Sequence, residues 1–130
     1  MGVKTINPIS PLLTGSAFAK TDTGGTTSSV IVAASTAQSS LDFSRMAIVI
    51  ENYSTTAAAV VTLKAGDDYT EVGQGDAAAI TVATGASVII GGKSFESARF
   101  QNSDGQAEFA ITTAATCYVY AVMFPFNKWN

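Results

Sequence analysis

Four acidic residues gather within ten positions of this sequence and are the side chains best placed to bind a cation. They surround Gly73 and Gly75, and they are Asp67, Asp68, Glu71 and Asp76. Carboxylate oxygens on such a loop suit Ca²⁺, but the spacing does not match an EF-hand loop. The alternative is that Asp67 and Asp76 accept hydrogen bonds from backbone N–H groups in their own turns. We therefore assign no metal and no cofactor.

A second glycine-rich segment, Gly91-Gly92-Lys93-Ser94, superficially matches the end of a phosphate-binding loop. That motif needs a glycine five positions before its second glycine, where Ser87 stands here. It also needs a helix to follow, whereas the next residues, FESARF, are strand-like. The segment is interpreted as a turn between strands.

Residues for nucleophilic or acid–base catalysis are few. The sequence contains no His, which removes the usual general base, and Cys117 lies in a strand-like run where a thiol acts as a small hydrophobic group. Glu96 and Glu108 could lie on neighbouring strands, but a paired-carboxylate hydrolase needs them to converge in a cleft. Arg99 is expected to pair with one of these glutamates or with a neighbouring subunit. We predict that the protein is not an enzyme.

Aromatic residues offer another kind of chemistry, because aromatic rings can stack against sugars in a lectin-like groove. The set consists of Tyr53, Tyr69, Tyr118, Tyr120 and Trp129. The same residues are also common in strands and at protein interfaces, so a structural role is the alternative. Trp129, close to the end of the sequence, is a candidate contact residue because Trp is favoured at interfaces.

The composition limits the classes of partner. Only 13% of the 130 residues are charged, the formal net charge is −3, and the mean hydropathy is +0.27. An average soluble domain has about 25% charged residues, so a partner is expected to cover part of the surface. The alternative is that abundant Ala raises the hydropathy without creating a sticky patch. Seven scattered Lys and Arg form no basic stripe, so nucleic-acid binding is not expected.

Other sequence-level features concern targeting and redox state. No stretch approaches the ~18 apolar residues of a membrane span, and the first residues do not resemble a secretory signal. A single cysteine, Cys117, cannot form an internal disulfide. We therefore expect a protein with no membrane partner whose stability does not depend on oxidation.

Short apolar runs separated by turn residues predict the fold. The stretch from Val60 to Gly105 alone contains four such runs, closed by Gly- and Asp-containing turns. Strands recurring every 8–12 residues are typical of antiparallel sandwiches and barrels. We predict an all-β protein, an antiparallel β-sandwich or jelly-roll-like barrel of about eight strands. The predicted strands are SSVIVAAS, FSRMAIVIEN, Ala57 to Lys64, AAITVA, SVII, FESARFQ, QAEFAIT and CYVYAVMFPF.

Two of these strands have informative patterns. In FSRMAIVIEN, Met46, Ile48 and Ile50 share one face, while Ala47 and Val49 share the other. Both faces are apolar, which predicts burial on both sides or cover from a partner on one side. In QAEFAIT the apolar residues alternate, and we expect this strand to form a hairpin with FESARFQ through the Asp-Gly turn that precedes it.

The N-terminal part of the sequence differs from the rest. Residues 1–26 are predicted to form an extended arm, since Pro8 and Pro11 cannot enter a sheet interior, and residues 27–130 a single β-sandwich domain. The apolar residues of the arm are expected to lie against another surface, its own or that of a neighbour; a frayed terminus is the alternative. The candidate partner-binding residues are Ile6, Ile9, Leu12, Leu13, Phe18 and Trp129.

The turn and strand residues between roughly 45 and 112 carry a resemblance. Its segments are Lys64-Ala65-Gly66-Asp67, Gly73-Gln74-Gly75-Asp76, Gly85-Ala86, Glu96-Ser97-Ala98-Arg99-Phe100 and Ser103-Asp104-Gly105. In these segments the chain resembles the small β-proteins encoded beside the major capsid genes of tailed bacteriophages. The resemblance implies a virion structural protein of the capsid decoration (cement) type, commonly a trimer bound to the assembled shell.

The expected function follows from the resemblance and the low charge content. The protein is predicted to be made in the host cytoplasm and to bind across neighbouring major capsid protein subunits on the virion surface. The alternatives are a carbohydrate- or receptor-binding β-module of a phage fibre, and a tail-tube or head-completion subunit. The expected partners are the major capsid protein and further copies of the chain, without nucleic acid or membrane.

Overall fold

Strands form where β-branched and aromatic residues alternate with smaller or polar ones. The computed structural model describes residues 2–11, 14–35, 41–66, 76–91 and 100–124. Its strands are β1 (Gly2–Ile6), β2 (Thr21–Asp22), β3 (Thr27–Val32), β4 (Met46–Asn52), β5 (Ala59–Leu63), β6 (Ile80–Val82), β7 (Ser87–Gly91), β8 (Ala107–Ile111) and β9 (Cys117–Met123).

The strands form two sheets, a five-stranded sheet in the order β1-β3-β8-β5-β6 and a four-stranded sheet in the order β2-β9-β4-β7. All neighbouring strands are antiparallel except β1 and β3, which pair in parallel. The predicted all-β sandwich is therefore confirmed. In the described residues the two sheets do not close into a barrel.

Alternating side chains from both sheets fill the space between them. Met46, Ile48 and Ile50 of β4 share one face, as predicted, and are buried. Ala47 and Val49 on the other face are only partly covered, so of the two predicted alternatives the described chain does not bury this strand on both sides. Ala107, Phe109 and Ile111 of β8 are likewise buried. The largest completely buried side chains are those of Phe43 and Phe109. Burial of these apolar side chains is the main force that holds the two sheets together.

Asn52, at the end of β4, joins the two sheets through a polar side chain in the core. Its side chain is 2% exposed, and its Nδ2 donates hydrogen bonds to the carbonyls of Ala57 (2.9 Å) and Val82 (3.0 Å). Its Oδ1 accepts from the backbone N–H of Ser54 at 3.0 Å. Each polar group of the amide thus has a partner, as a buried amide requires.

The N-terminal segment contains two strands that the sequence patterns do not predict. β1 is the edge strand of the five-stranded sheet and pairs with β3, and β2 is an edge strand of the other sheet and pairs with β9. Between them, the Ile9 N–H donates to the Ala121 carbonyl, and the Ile9 carbonyl accepts from the Met123 N–H, both at 2.8 Å. Residues 2–11 therefore contact both sheets of their own domain.

The predicted hairpin between FESARFQ and QAEFAIT is wrong. Both edges of β8 are already paired, one with β3 and the other with β5. The turn before β8 does form, because the Asn102 Oδ1 accepts from the N–H groups of Asp104 and Gln106 at 2.9 Å each. Residues 92–99, which include most of the proposed partner, lie outside the described residues.

The start of β4 also differs from the prediction. Phe43–Arg45 form one turn of 3-10 helix, and the strand begins only at Met46. Asp42 caps this turn, because its Oδ1 accepts from the Ser44 N–H at 3.1 Å. A side chain that satisfies a free N–H at such a terminus favours the turn over continued strand.

Glycine has two different roles in the turns. Gly85 and Gly105 both have a φ of +76°, the left-handed conformation that the turn prediction requires. Gly66 has an ordinary φ, but a Cβ atom there would overlap the backbone of Gln101. The loop after β5 therefore packs against residue 101 at a distance that only glycine allows.

Candidate functional site

The predicted partner-binding residues occupy different environments. Ile6 is 4% exposed and belongs to the core, while Ile9 is half-buried beside β9. Phe18 is 51% exposed on the surface of the four-stranded sheet. The remaining three, Leu12, Leu13 and Trp129, lie outside the described residues. Of the described residues in this set, only Phe18 presents a large apolar surface to solvent.

The acidic loop is described only at its ends. Asp67, Asp68 and Glu71 lie outside the described residues. Asp76 accepts a hydrogen bond from the Ala65 N–H and pairs with the Lys64 Nζ, both at 2.8 Å. These contacts lower the pKa of Asp76, the Lys64 hydrogen bond first. In the chain segments that the structure describes, no group of three or more Cys, Asp or Glu is placed to hold a metal ion.

The residues considered for catalysis are separated or outside the described chain. Cys117 is fully buried at the start of β9, and this burial raises the pKa of its thiol, as the interpretation of a small hydrophobic group predicts. Glu108 lies on the outer face of β8 and accepts a hydrogen bond from the Ser29 hydroxyl at 2.6 Å. Lys93, Glu96 and Arg99 lie outside the described residues.

Three of the five predicted aromatic residues meet on the outer face of the four-stranded sheet. The rings of Tyr53 and Tyr118 stack with centroids 4.5 Å apart, and the ring of Phe18 lies 5.2 Å from that of Tyr120. Tyr69 and Trp129 lie outside the described residues. We call the following set the aromatic cluster: Phe18, Lys20, Asp22, Glu51, Tyr53, Tyr118 and Tyr120.

Charged side chains connect the rings of this cluster. The Lys20 Nζ lies 2.9 Å from the Glu51 Oε1 and within 5.6 and 5.7 Å of the Tyr118 and Tyr120 ring centroids. The Tyr120 hydroxyl donates to the Glu51 Oε2 at 2.7 Å. The Lys20 hydrogen bond and then that of Tyr120 lower the pKa of Glu51, while the same carboxylate raises the pKa of Lys20.

The second half of the cluster is a pair between Asp22 and Tyr53. The Tyr53 hydroxyl lies 2.7 Å from both carboxylate oxygens of Asp22, and this hydrogen bond raises the pKa of Tyr53. Asp22 Oδ1 also accepts from the Gly24 N–H at 2.8 Å. These contacts attach the segment around β2 to the turn that follows β4.

The same sheet face is apolar on the side away from β2. Val49 of β4 lies opposite Ile89 of β7, and Ala47 lies opposite Val122 of β9. We call these four residues the apolar row. Ile89 is 71% exposed, the highest value among the large apolar side chains of the described residues. An exposed side chain of this size beside other apolar groups is typical of a contact surface.

A groove lies beside the aromatic cluster, where the segments around β1 and β2 run across β9. Its volume is about 250 Å³. It is lined by Thr5, Ile6, Asn7, Ile9, Ala17, Phe18, Ala19, Thr21, Val119 and Tyr120. The groove combines one exposed aromatic ring with hydroxyl and amide groups, and none of these lining residues is charged.

The charged residues of the aromatic cluster, Lys20, Asp22 and Glu51, have no distinctive sequence signal, because their spacing matches no recognised motif. Their side-chain partners in the cluster are at least 31 positions away, so only the pairing of β2 and β4 with β9 brings them together. Tyr118 and Tyr120, two positions apart on a strand, were the detectable part of the cluster.

No protein-family model, curated protein or solved structure matches this chain.

None of the helical segments in the described part of the chain has the length and apolar character needed to cross a bilayer.

Proposed function

We propose that the protein is a non-enzymatic structural component of a tailed-phage virion. In this proposal it binds to the outside of the assembled capsid and bridges neighbouring subunits of the major capsid protein. The observation that carries the proposal is the apolar row, in which Ile89 is 71% exposed next to Val49. The resemblance of the turn and strand residues to capsid decoration proteins supplies the identity of the partner.

The apolar row gives this function a physical basis. Removing exposed apolar area from water favours association, and the row is continuous across three strands of one rigid sheet. All four of its side chains are apolar, so a partner that docks on the row would not have to break an ion pair there. The low charged fraction of the chain, 13%, is consistent with a surface that is covered in the assembled particle.

A repeated shell also makes weak contacts sufficient. A trimer would present three apolar rows to the capsid, and linked binding events raise the apparent affinity by about 10²–10⁴ when the geometry permits them. We therefore expect a homotrimer in solution. Larger closed rings would instead support a tail-tube or head-completion subunit, and light scattering after size-exclusion chromatography separates the two outcomes.

Co-sedimentation tests the docking. The partner is a purified head, lacking this protein, from the phage whose major capsid gene neighbours the coding sequence. We expect saturable binding by the unmodified chain and at least about tenfold weaker binding by Ile89→Lys, because a charge would be buried on docking. Failure of the unmodified protein to bind these heads would contradict the proposal.

A matched control distinguishes loss of docking from a general effect of added charge. Val3 is 59% exposed on the edge strand of the other sheet. Val3→Lys introduces the same charge at a similarly exposed apolar position, and we expect it to bind heads as the unmodified chain does. If Val3→Lys loses binding while Ile89→Lys retains it, the docking face has been assigned to the wrong sheet.

A further inference from the structure

We propose that the groove beside the aromatic cluster binds a single neutral sugar ring, such as the terminal residue of a glycan. This site lies towards β2, whereas the proposed capsid-binding row extends towards β7 on the same face of the sheet. β9 contributes Val119 and Tyr120 to the groove and Val122 to the row, so the two sets share a strand but no residue. The sugar site goes beyond the proposed function and does not depend on it, because each set of residues can be changed without the other.

The size of the groove limits the ligand. Pockets for drug-sized molecules have volumes of about 300–1,000 Å³. This groove, at about 250 Å³, is smaller and also open to solvent at the surface. It therefore suits one ring, with the rest of a longer chain extending into solvent.

The absence of charged residues from the groove lining indicates a neutral ligand. All ten lining residues are uncharged. Two charged side chains next in sequence to lining residues already have partners, Lys20 in its pair with Glu51 and Asp22 in its pair with Tyr53. A charged ligand would lose hydration in the groove without gaining a counter-charge from its lining, which is unfavourable.

The lining also has the mixed character that a sugar requires. Phe18, 51% exposed, offers an apolar ring to the C–H face of a pyranose, and its contact with Tyr120 holds it at the rim. Thr5 and Thr21 contribute hydroxyls that can donate or accept hydrogen bonds. Asn7 is held by the hydrogen bond from its Nδ2 to the Ala33 carbonyl at 2.9 Å, so the position of its amide is defined.

The geometry favours Phe18 over the tyrosines that the sequence pattern singles out. Tyr53 and Tyr118 stack on each other, and the Lys20 Nζ lies over the Tyr118 ring. Neither of these two residues lines the groove. They therefore support the surrounding cluster. Of the two aromatic residues that do line the groove, Tyr120 is partly buried against Phe18, so the exposed ring available to a sugar is that of Phe18.

Saturation-transfer NMR with the full chain tests this site. The probes are the methyl glycosides of glucose, galactose, mannose and N-acetylglucosamine, with sialic acid and glucose 6-sulfate as charged comparisons. We expect at least one neutral glycoside to bind and both charged sugars to give no transfer. Absence of transfer to all four neutral probes, or transfer to the charged sugars alone, would overturn the proposal.

Variants assign the binding to the groove. We expect Phe18→Ala and Thr21→Val to weaken binding of the responsive glycoside about fivefold or more, since each removes one ring or hydroxyl contact. Thr21→Val keeps the shape of the side chain and guards against a general loss of structure. Tyr53→Phe is the control outside the groove, and we expect its affinity to be unchanged. Binding lost in Tyr53→Phe but kept in both groove variants would also overturn the assignment.

Discussion

The Lys20 Nζ lies 2.9 Å from the Glu51 Oε1, and this ion pair fastens the segment before β2 to β4 across β9, the strand that lies between β2 and β4. Both side chains are partly exposed, so solvent screens their attraction. The Tyr120 hydroxyl, which donates to the other oxygen of Glu51, fixes the carboxylate. The attachment of the N-terminal segment at this point therefore depends on a small set of surface contacts that can be removed one at a time.

Loss of the charge on Glu51 should loosen this segment. Lys20 is a trypsin site, and cleavage after it requires the segment to leave the sheet surface. We expect Glu51→Gln to increase the rate of cleavage after Lys20 about two- to fivefold. The factor is small because a solvent-exposed ion pair contributes little to holding the segment in place. The measurement is the appearance, by mass spectrometry, of fragments ending at Lys20 under native conditions.

A second ion pair provides the control for this experiment. Asp76 pairs with Lys64 at 2.8 Å at the other sheet, with similar exposure of both side chains. Asp76→Asn should leave cleavage after Lys20 unchanged. Equal rates for Glu51→Gln and the unmodified chain would show that this ion pair does not hold the segment.

Acid should destabilise the fold through three carboxylates. In each case a side-chain hydrogen bond is the main cause of a lowered pKa in the folded state. The donor is Lys20 for Glu51 and Ser44 for Asp42. For Asp76 the donor is Lys64. A group with a lowered pKa stabilises the fold above its unfolded pKa, here 4.5 for Glu and 3.8 for Asp. That stabilisation is lost as the pH falls through the folded-state pKa.

Thermal unfolding at several pH values checks this prediction. The midpoint should fall steadily below pH 4.5, and it should fall less in a triple variant with Glu51→Gln, Asp42→Asn and Asp76→Asn. At the alkaline end, Lys20 has a pKa raised above 10.5 by Glu51, so its contribution is complete below pH 10.5 and lost above it. An acid response identical in the triple variant would contradict the assignment.

Replacement of the buried amide of Asn52 should be costly. Asn52→Leu removes both donors to the carbonyls of Ala57 and Val82 and the acceptor for the Ser54 N–H. A buried polar group left unpaired costs about 1–3 kcal/mol, and only the bond to Val82 is fully buried. The bonds to Ala57 and Ser54 are partly buried, so their loss costs less, and we expect a total loss of about 2–4 kcal/mol in the free energy of unfolding. Chemical denaturation measures this value. The exposed neighbour provides the control, since Tyr53→Phe should shift the denaturation midpoint far less.

The close approach at Gly66 should not tolerate a methyl group. A Cβ there would overlap the backbone of Gln101, which cannot move aside as a flexible side chain can. We expect Gly66→Ala to destabilise the fold by about 2 kcal/mol or more. At Gly85 an added Cβ meets no atom within 4 Å, so Gly85→Ala should cost only the backbone strain of its positive φ, about 1 kcal/mol. A smaller loss for Gly66→Ala than for Gly85→Ala would contradict this account.

The sandwich could be predicted because its central strands have strong alternating patterns. Phe109 lies in an alternating pattern and Ile48 in a continuous run of β-forming apolar residues, and both are completely buried in the structure. The Asp-Gly turn before β8 was also recognisable, because positive φ at Gly105 is a local requirement. Such features depend on neighbouring residues alone, and a single sequence contains them.

The pairing between distant strands could not be predicted in the same way. β8 lies between β3 and β5, although the nearest apolar run in sequence suggested a hairpin. β1 has a weak pattern, because three of its five residues, Val3, Lys4 and Thr5, are exposed on an edge strand. β2 has only two residues and is defined by its main-chain pairing with β9. The aromatic cluster depends on these same distant pairings. The sequence therefore indicates its tyrosines and Phe18 only as separate candidates, and it does not indicate Lys20, Asp22 or Glu51.

The main-chain hydrogen bonds of Ile9 to Ala121 and Met123 affect how the amino-acid sequence of this segment can evolve. Backbone groups are common to nearly all residue types, so they hold the path of the chain without requiring a particular side chain. The exposed position next to Ile9, Ser10, can therefore diversify while the segment keeps its course between the sheets. New surface chemistry could be acquired there with no redesign of the core.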